Sequence, residues 1–276
     1  MEQPRVLIVI LNYGTFDLTL QLVDELKENL QYDNCSIMVV DNNSPNESAM
    51  ALAAKSKEKG YIFYANSSNA GYAAGNNIGI RYGIENGYDY SWILNNDVEL
   101  REKNVLTHMI DIIKSDHRIG CIGPMIYNLN GSICAPYCRR LTLWNMTLGI
   151  STEKKYREQH IYSSGEVYRV YGCCMLLNNK AMSDIDCMDE RTFLYGEEDI
   201  LAERLLAKGY TTYYDSDVSV THKGSATMNR MSTNRKKLQI TQRKKSMELY
   251  LKEYRKFSVP AIWACTTVRS IITYVR

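Results

Sequence analysis

The chain has 276 residues, 45% hydrophobic and 23% charged, the balance of a soluble globular protein with one large domain, or one domain and an appendage, rather than of a disordered or fibrous chain. Its net charge of +2 conceals a strong asymmetry: residues 229–276 carry 12 Lys or Arg against 2 Glu, or +10, so the other 228 residues carry 21 basic and 29 acidic groups, or −8. The body of the chain therefore has no basic surplus of the kind a nucleic acid attracts, and the tail is a separate electrostatic object.

The N-terminal apolar run after Arg5 is too short for a secretory signal and lacks a cleavage site, which predicts a first strand in a cytoplasmic protein. Arg5–Leu11 is continuously apolar, as in a strand covered on both faces. Asn12, Tyr13 and Gly14 make a turn, and Leu18, Leu22, Leu26 and Leu30 share one face of a following helix that opens with Asp17. Ser36–Val40 is a second strand that ends in Asp41, Asn42, Asn43, Ser44 and Pro45. A helix is expected from about Glu47 to Lys59, and a third strand over Tyr61–Ala65. This alternation predicts right-handed parallel crossovers in an open α/β sheet.

Asn66–Gly79 is rich in Gly and Asn, with Gly71, Gly75 and Gly79 at intervals of four. That spacing is neither a dinucleotide fingerprint nor a P-loop, and it lets a helix approach either the sheet or a ligand closely. Tyr90–Leu100 runs from a buried strand into Asn95, Asn96 and Asp97, at the carboxyl edge where such sheets bind ligands. A simple turn and a cation-holding carboxylate are both compatible with those residues. Glu102–Ser115 reads as a helix and Ile119–Ile126 as a strand broken at Gly123 and Pro124. From Tyr127 to Arg169 periodicity fades, and Pro136, Trp144 and several tyrosines point to an irregular, substrate-shaping region. Val170–Leu177 returns to the core.

In Arg191–Tyr210 a helix starts at three successive acids, Glu197, Glu198 and Asp199. Acids at a helix start complement its dipole, but clustered carboxylates also raise one another's proton affinity, as suits a general base. Tyr210–Tyr214 and Asp217–Val220 are expected as two short strands. His222 follows them, either as a satisfied surface side chain or as a ligand. The tail reads as a basic helix over Asn234–Lys256, with Met247, Tyr250, Leu251, Tyr254 and Phe257 on one side. A second helix after Pro260 has Ala261, Ala264, Val268, Ile271 and Val275 on one face and Thr266, Arg269, Thr273 and Arg276 on the other. This surface suits either an anionic membrane or packing on the domain or in a homodimer. The eight cysteines lack paired metal-site spacing and read as core thiols, with a cluster of Cys134, Cys138, Cys173 and Cys174 as the minor alternative.

Val39–Ser48, Asn69–Ile80, Trp92–Leu100, Phe193–Tyr210 and Thr221–Thr227 together resemble, in order, motifs of the family 2 glycosyltransferases, in particular the bacterial rhamnosyltransferase-like branch of surface polysaccharide synthesis. The resemblance implies a glycosyltransferase A-type fold: a Rossmann-like, mostly parallel central sheet flanked by helices, with a C-terminal helical extension. Residues 1–228 would be the catalytic domain, with a nucleotide-sugar half to about 125 and an acceptor and base half beyond it, and 229–276 the basic amphipathic tail. It implies Asp41 at the nucleobase, with Asn12, Asn42, Asn69, Gly75, Asn76, Asn96 and Asp97 around the donor. Asp97 and His222 would hold Mg2+ or Mn2+, although Asn95 stands where many members have a first Asp. Glu198 would be the catalytic base, with Glu197 and Asp199 as competitors and Arg204 completing the motif. The implied partners are a nucleoside-diphosphate sugar (dTDP-rhamnose or a UDP-hexose) and a glycan or lipid-linked saccharide acceptor. A sugar nucleotidyltransferase, or a catalytically silent membrane-docking subunit, remain the alternatives.

Overall fold

Val6–Asn12 forms strand β1 because its residues satisfy two apolar faces at once: Val6, Ile8 and Ile10 enter one core cluster and Leu7 and Val9 the other, all fully buried. The computed structural model describes residues 3–148, 151–224 and 233–275. From β1 the chain runs through α1 (Phe16–Asn29), β2 (Cys35–Asp41), α2 (Ser48–Lys55), β3 (Ile62–Ala65), α3 (Tyr72–Glu85), β4 (Tyr90–Asn95), β5 (Val98–Leu100) and α4 (Val105–Ser115). It continues with β6 (Ile119–Asn128), β7 (Ile133–Cys134), α5 (Leu143–Leu148), α6 (Ser151–Glu158), β8 (Gly165–Val167), β9 (Cys174–Asn178), α7 (Asn179–Asp184), α8 (Glu197–Ala207) and β10 (Thr211–His222). The tail is α9 (Thr233–Leu249), a π-helical turn (Tyr250–Tyr254) and α10 (Val259–Val275).

The main sheet order is β3-β2-β1-β4-β9-β6-β10-β5, with β7 on β6 and β8 on β10. Strands β3, β2, β1 and β4 are mutually parallel, as the alternating strands and helices predict. The return strand β9 enters antiparallel between β4 and β6, so the sheet is mixed and its two halves are joined in one surface. The register sets Asn12 beside Asp41 and Leu11 beside Asn95, which brings the ends of β1, β2 and β4 to one edge. β10 reaches the same edge, where His222 pairs with Val98 of β5.

α3 lies against β1 through its glycines. A Cβ on Gly75 would come within 2.6 Å of Leu11 Cδ1, and one on Gly79 would overlap both methyls of Val9. The four-residue glycine interval thus serves close helix–sheet packing at these two positions. Gly71 differs: its φ of +107° and the Phe193 backbone against it leave no room for a side chain.

Two predicted breaks differ in the structure. β6 runs continuously through Gly123 and Pro124, and β10 is one strand instead of two. The register between them shifts between Asp215 and Ser219, opposite Pro124, whose missing N–H cannot complete the ladder. The expected break at Asp215 and Ser216 falls in this bulge, closed by Asp217 N–H donating to Asp215 Oδ1 at 3.0 Å. α4 starts at Val105 rather than Glu102, because Glu102 is drawn out to accept from Ser219 N at 2.8 Å and Oγ at 2.9 Å.

The tail packs on the body of the molecule. Tyr250 and Leu251 are buried with Ile200 of α8, Met146 of α5, and Ile262 and Cys265 of α10, with Met247, Tyr254 and Phe257 partly buried beside them. The faces of α10 are the reverse of the amphipathic expectation: Cys265 and Thr266 are buried, whereas Ala264, Val268 and Ile271 are exposed. The side chain of Val275 and all of Arg276 lie outside the described residues, as do 225–232, which end the Thr221–Thr227 motif and open the basic tail.

Candidate active site

Of the donor-side residues predicted from sequence, Asn12, Asp41 and Asn96 form one side-chain hydrogen-bonded group at the carboxyl edge of the parallel strands, and Asn42 and Asn69 a second. Asn12, buried at the end of β1, donates through Nδ2 to Asp41 Oδ1 at 2.6 Å and to Ser44 Oγ at 3.2 Å. Its Oδ1 accepts from Thr19 Oγ1 at 2.9 Å and from Asn96 Nδ2 at 3.3 Å. Asp41 also accepts from Ser44 Oγ at 2.6 Å and Ser44 N at 3.0 Å, so both its oxygens are partnered and it is buried. Asn42 donates to Asn69 Oδ1 at 3.0 Å and Gly71 O at 3.2 Å, which pins the Gly/Asn loop to the end of β2. Asn76 lies inside α3's packing face and donates to Tyr72 O at 3.0 Å, while its Oδ1 is buried without a hydrogen-bond partner.

Asp97 sits in the β4–β5 turn, nearly buried, and His222 Nε2 lies 3.2 Å from its Oδ1. The β5–β10 register produces this meeting, and Lys223 N–H reinforces it by donating to Asp97 O at 2.9 Å. Of the two readings of His222, the structure places it on the Asp97 carboxylate. Among the described residues no three His, Cys, Asp or Glu side chains converge as a metal-binding group, and all eight cysteines are free. The available donor set is therefore one carboxylate and one imidazole; the carboxylate suits Mg2+ or Mn2+ when diphosphate and water oxygens complete the shell.

His222 and Asn95 open onto a cavity of about 780 Å³ whose floor includes Glu197, Glu198 and Asp199. The start of α8 is held there by the Gly/Asn loop: Tyr72 N–H donates to Phe193 O at 2.9 Å, and Tyr72 Oη donates to Gly172 O at 2.5 Å. The three acids have different surroundings. Asp199 is ion-paired with Arg169 Nε at 2.8 Å. Glu198 is half-buried and accepts from Gly172 N–H at 3.1 Å. Glu197 is 5% exposed with Oε1 unpartnered; burial first, and the Glu198 charge second, push its proton affinity up to about 8. Burial thus favours the protonated form of Glu197 near neutral pH.

Other parts of the cavity were not legible in the sequence. Arg169 comes from the aperiodic region and carried no motif signal. Arg157 stacks 3.5 Å above the Tyr137 ring and donates to Tyr171 Oη at 2.8 Å. Trp144, expected to shape the substrate site, is instead 67% exposed and absent from the lining, where Tyr137 and Tyr171 supply the rings. Arg204 turns from the cavity to the carbonyls of Ile185 and Asp186. Arg243 and Lys244 of α9 and Thr266, Arg269, Ser270 and Thr273 of α10 complete the wall, so the tail is part of the cavity. The predicted donor residues Asn12, Asp41, Asn42, Asn69, Gly75, Asn76, Asn96 and Asp97 do not line it, and Asp97 meets it only through His222.

Comparisons with known proteins agree with this architecture. The curated low-salt glycan biosynthesis hexosyltransferase of Haloferax volcanii is 24% identical over 193 residues, covering 69% of this chain; the chain spans 58% of that relative's length. Among solved structures, a Pyrobaculum calidifontis mannosyltransferase in complex with GDP-Man and Mn2+ superposes with a TM-score of 0.64 at 13% identity, over 100% of this chain and 74% of the other. S. aureus TarS in complex with UDP-GlcNAc gives 0.59 at 12% identity, over 90% of this chain and 66% of the other. Residues 6–185, β1 through α7, match Glycosyl transferase family 2, and the chain belongs to that family.

Proposed function

We propose that this protein transfers a sugar from a nucleoside-diphosphate sugar to a hydroxyl of a glycan or lipid-linked saccharide, with inversion, in surface polysaccharide synthesis. The observation that carries this reading is the common cavity of His222, whose ring meets Asp97, and the Glu197–Asp199 cluster. A donor diphosphate beside Asp97 and a hydroxyl beside Glu198 would face one another across it. The related structures bind GDP-Man or UDP-GlcNAc. dTDP-rhamnose and UDP-hexoses are the donors proposed here.

Asp97 and His222 would hold Mg2+ or Mn2+. The ion, when bound, supplies positive charge against the diphosphate leaving group. Asp41 and the amides of Asn12, Asn42, Asn69 and Asn96 would form the nucleotide side, and Gly75 and Asn76 the closely packed helix behind it. Glu198 takes the acceptor proton. Asp199 is ion-paired with Arg169, and Glu197 is buried with its proton affinity raised, which leaves Glu198 as the half-exposed carboxyl that faces the cavity without an ion pair. A single displacement by a hydroxyl on the face opposite the leaving group inverts the anomeric carbon.

Thermal-shift screening of nucleotide-sugars with Mn2+ or Mg2+ tests the donor side, because a ligand of the folded state raises its stability. Stabilisation by one nucleotide-sugar, followed by release of its nucleoside diphosphate with an acceptor, is the expected result. Release of pyrophosphate from a nucleoside triphosphate and sugar phosphate would assign the chain to nucleotidyl transfer instead. Failure of every nucleotide-sugar to bind would refute the reading.

A further inference from the structure

α10 presents its faces in the opposite sense to a helix on a water-soluble surface. Its polar residues Thr266, Arg269, Ser270 and Thr273 turn inward to the cavity, and Ile262 and Cys265 are buried against the body. The outward arc carries Val259, Trp263 and Ile271, exposed by 73%, 67% and 60%, together with Pro260, Ala264 and Val268, and has no charged residue. α5 packs beside α10 and adds Trp144 and Leu148, exposed by 67% and 40%. Two of the chain's three tryptophans are therefore exposed on this helix pair, whereas Trp92 is fully buried in the core.

We propose that the outward face of α10, with α5 beside it, docks on the headgroup–acyl boundary of an anionic lipid bilayer. Charge selects this occupant. The face belongs to a tail of net charge +10, which an anionic lipid surface attracts. A second copy seated on the same face would bring two such tails together and meet their repulsion. Among the described residues no helix is long and apolar enough to cross a membrane, so α10 lies in the plane of the interface, where tryptophan rings are favoured and an apolar arc inserts. The other face of the same helix walls the cavity, so docking sets that cavity beside the bilayer. The inference stands on α10, α5 and the charge of the tail, and does not depend on the assignment of the catalytic groups.

The test uses the full chain with vesicles of phosphatidylcholine, alone or mixed with phosphatidylglycerol, read by flotation and by tryptophan emission. The chain should float with the anionic vesicles, its emission should shift to the blue as Trp263 and Trp144 leave water, and raised salt should weaken binding. The double variant Trp263→Ser/Ile271→Ser removes only exposed side chains. It should lose about tenfold or more in partitioning, with the melting temperature and any nucleotide-sugar stabilisation retained. Three results would overturn the proposal: no flotation with anionic vesicles, equal binding to phosphatidylcholine alone, or equal binding by the double variant. A dimer of the parent chain in sedimentation that the double variant lacks would assign the face to a second copy and also overturn it.

Discussion

Replacing Glu198 by Gln removes the acid of the α8 cluster that is neither ion-paired, as Asp199 is, nor buried, as Glu197 is. The amide oxygen of Gln can keep the contact with Gly172 N–H, now 3.1 Å from Glu198 Oε1, and the side-chain shape is unchanged. The folded state should therefore tolerate the change, with a melting temperature close to that of the parent. General-base catalysis contributes about 10²–10⁴ in rate, and kcat should fall by that factor, about 2.7–5.4 kcal/mol of barrier at 1.36 kcal/mol per tenfold. Glu197→Gln is the contrasting variant. Its carboxyl is buried and raised to about 8, so an uncharged amide resembles its state at pH 7, and kcat should stay within severalfold of the parent. Initial rates of donor turnover with acceptor, beside thermal melts of both proteins, give the comparison. Full activity in Glu198→Gln with loss in Glu197→Gln would refute the assignment of the base.

The same carboxyl has a consequence for stability. Glu197's folded-state pKa lies above its unfolded value, so its contribution is fully present below the ordinary carboxylate range and is lost as pH rises through about 8. Glu197→Gln should flatten the decline in urea midpoint across that window, and an unchanged slope would contradict the burial argument. Asp97→Ala should abolish the extra thermal stabilisation that Mn2+ gives in the presence of a donor, while His222→Ala should weaken it; metal-dependent stabilisation that persists in Asp97→Ala would move the ion elsewhere. Arg169→Met strips the cation from Asp199. It should lower stability by about 2 kcal/mol in urea titration, less than for a fully buried pair because Asp199 is 28% exposed. Gly79→Ala drives a methyl into Val9 and should cost about 1–3 kcal/mol; a stabilised variant would show that α3 can withdraw from β1.

The parts of the candidate site that are legible in the sequence are those carried by single continuous segments. Asn12, Asp41 and Asp97 stand where apolar runs stop, and a strand that stops at the carboxyl edge of a parallel sheet delivers its next residue to a ligand edge. The Glu197–Asp199 cluster was visible in the same way, as charge at the start of a helix. Arg169 was not, because its role depends on a partner 30 residues away and its own surroundings in the chain are aperiodic.

The amino-acid sequence by itself determined the parallel half of the sheet, the family resemblance and the identity of the acids, since hydrophobic period and local chain breaks are properties of neighbouring residues. Only the tertiary structure decided the antiparallel entry of β9, the bulge of β10 opposite Pro124, the pairing of Asp97 with His222 and the unequal surroundings of the three acids. It also decided which face of α10 points inward. An amphipathic pattern records that a helix has two faces, but whether the polar one meets solvent or a polar cavity depends on what the rest of the fold sets against it.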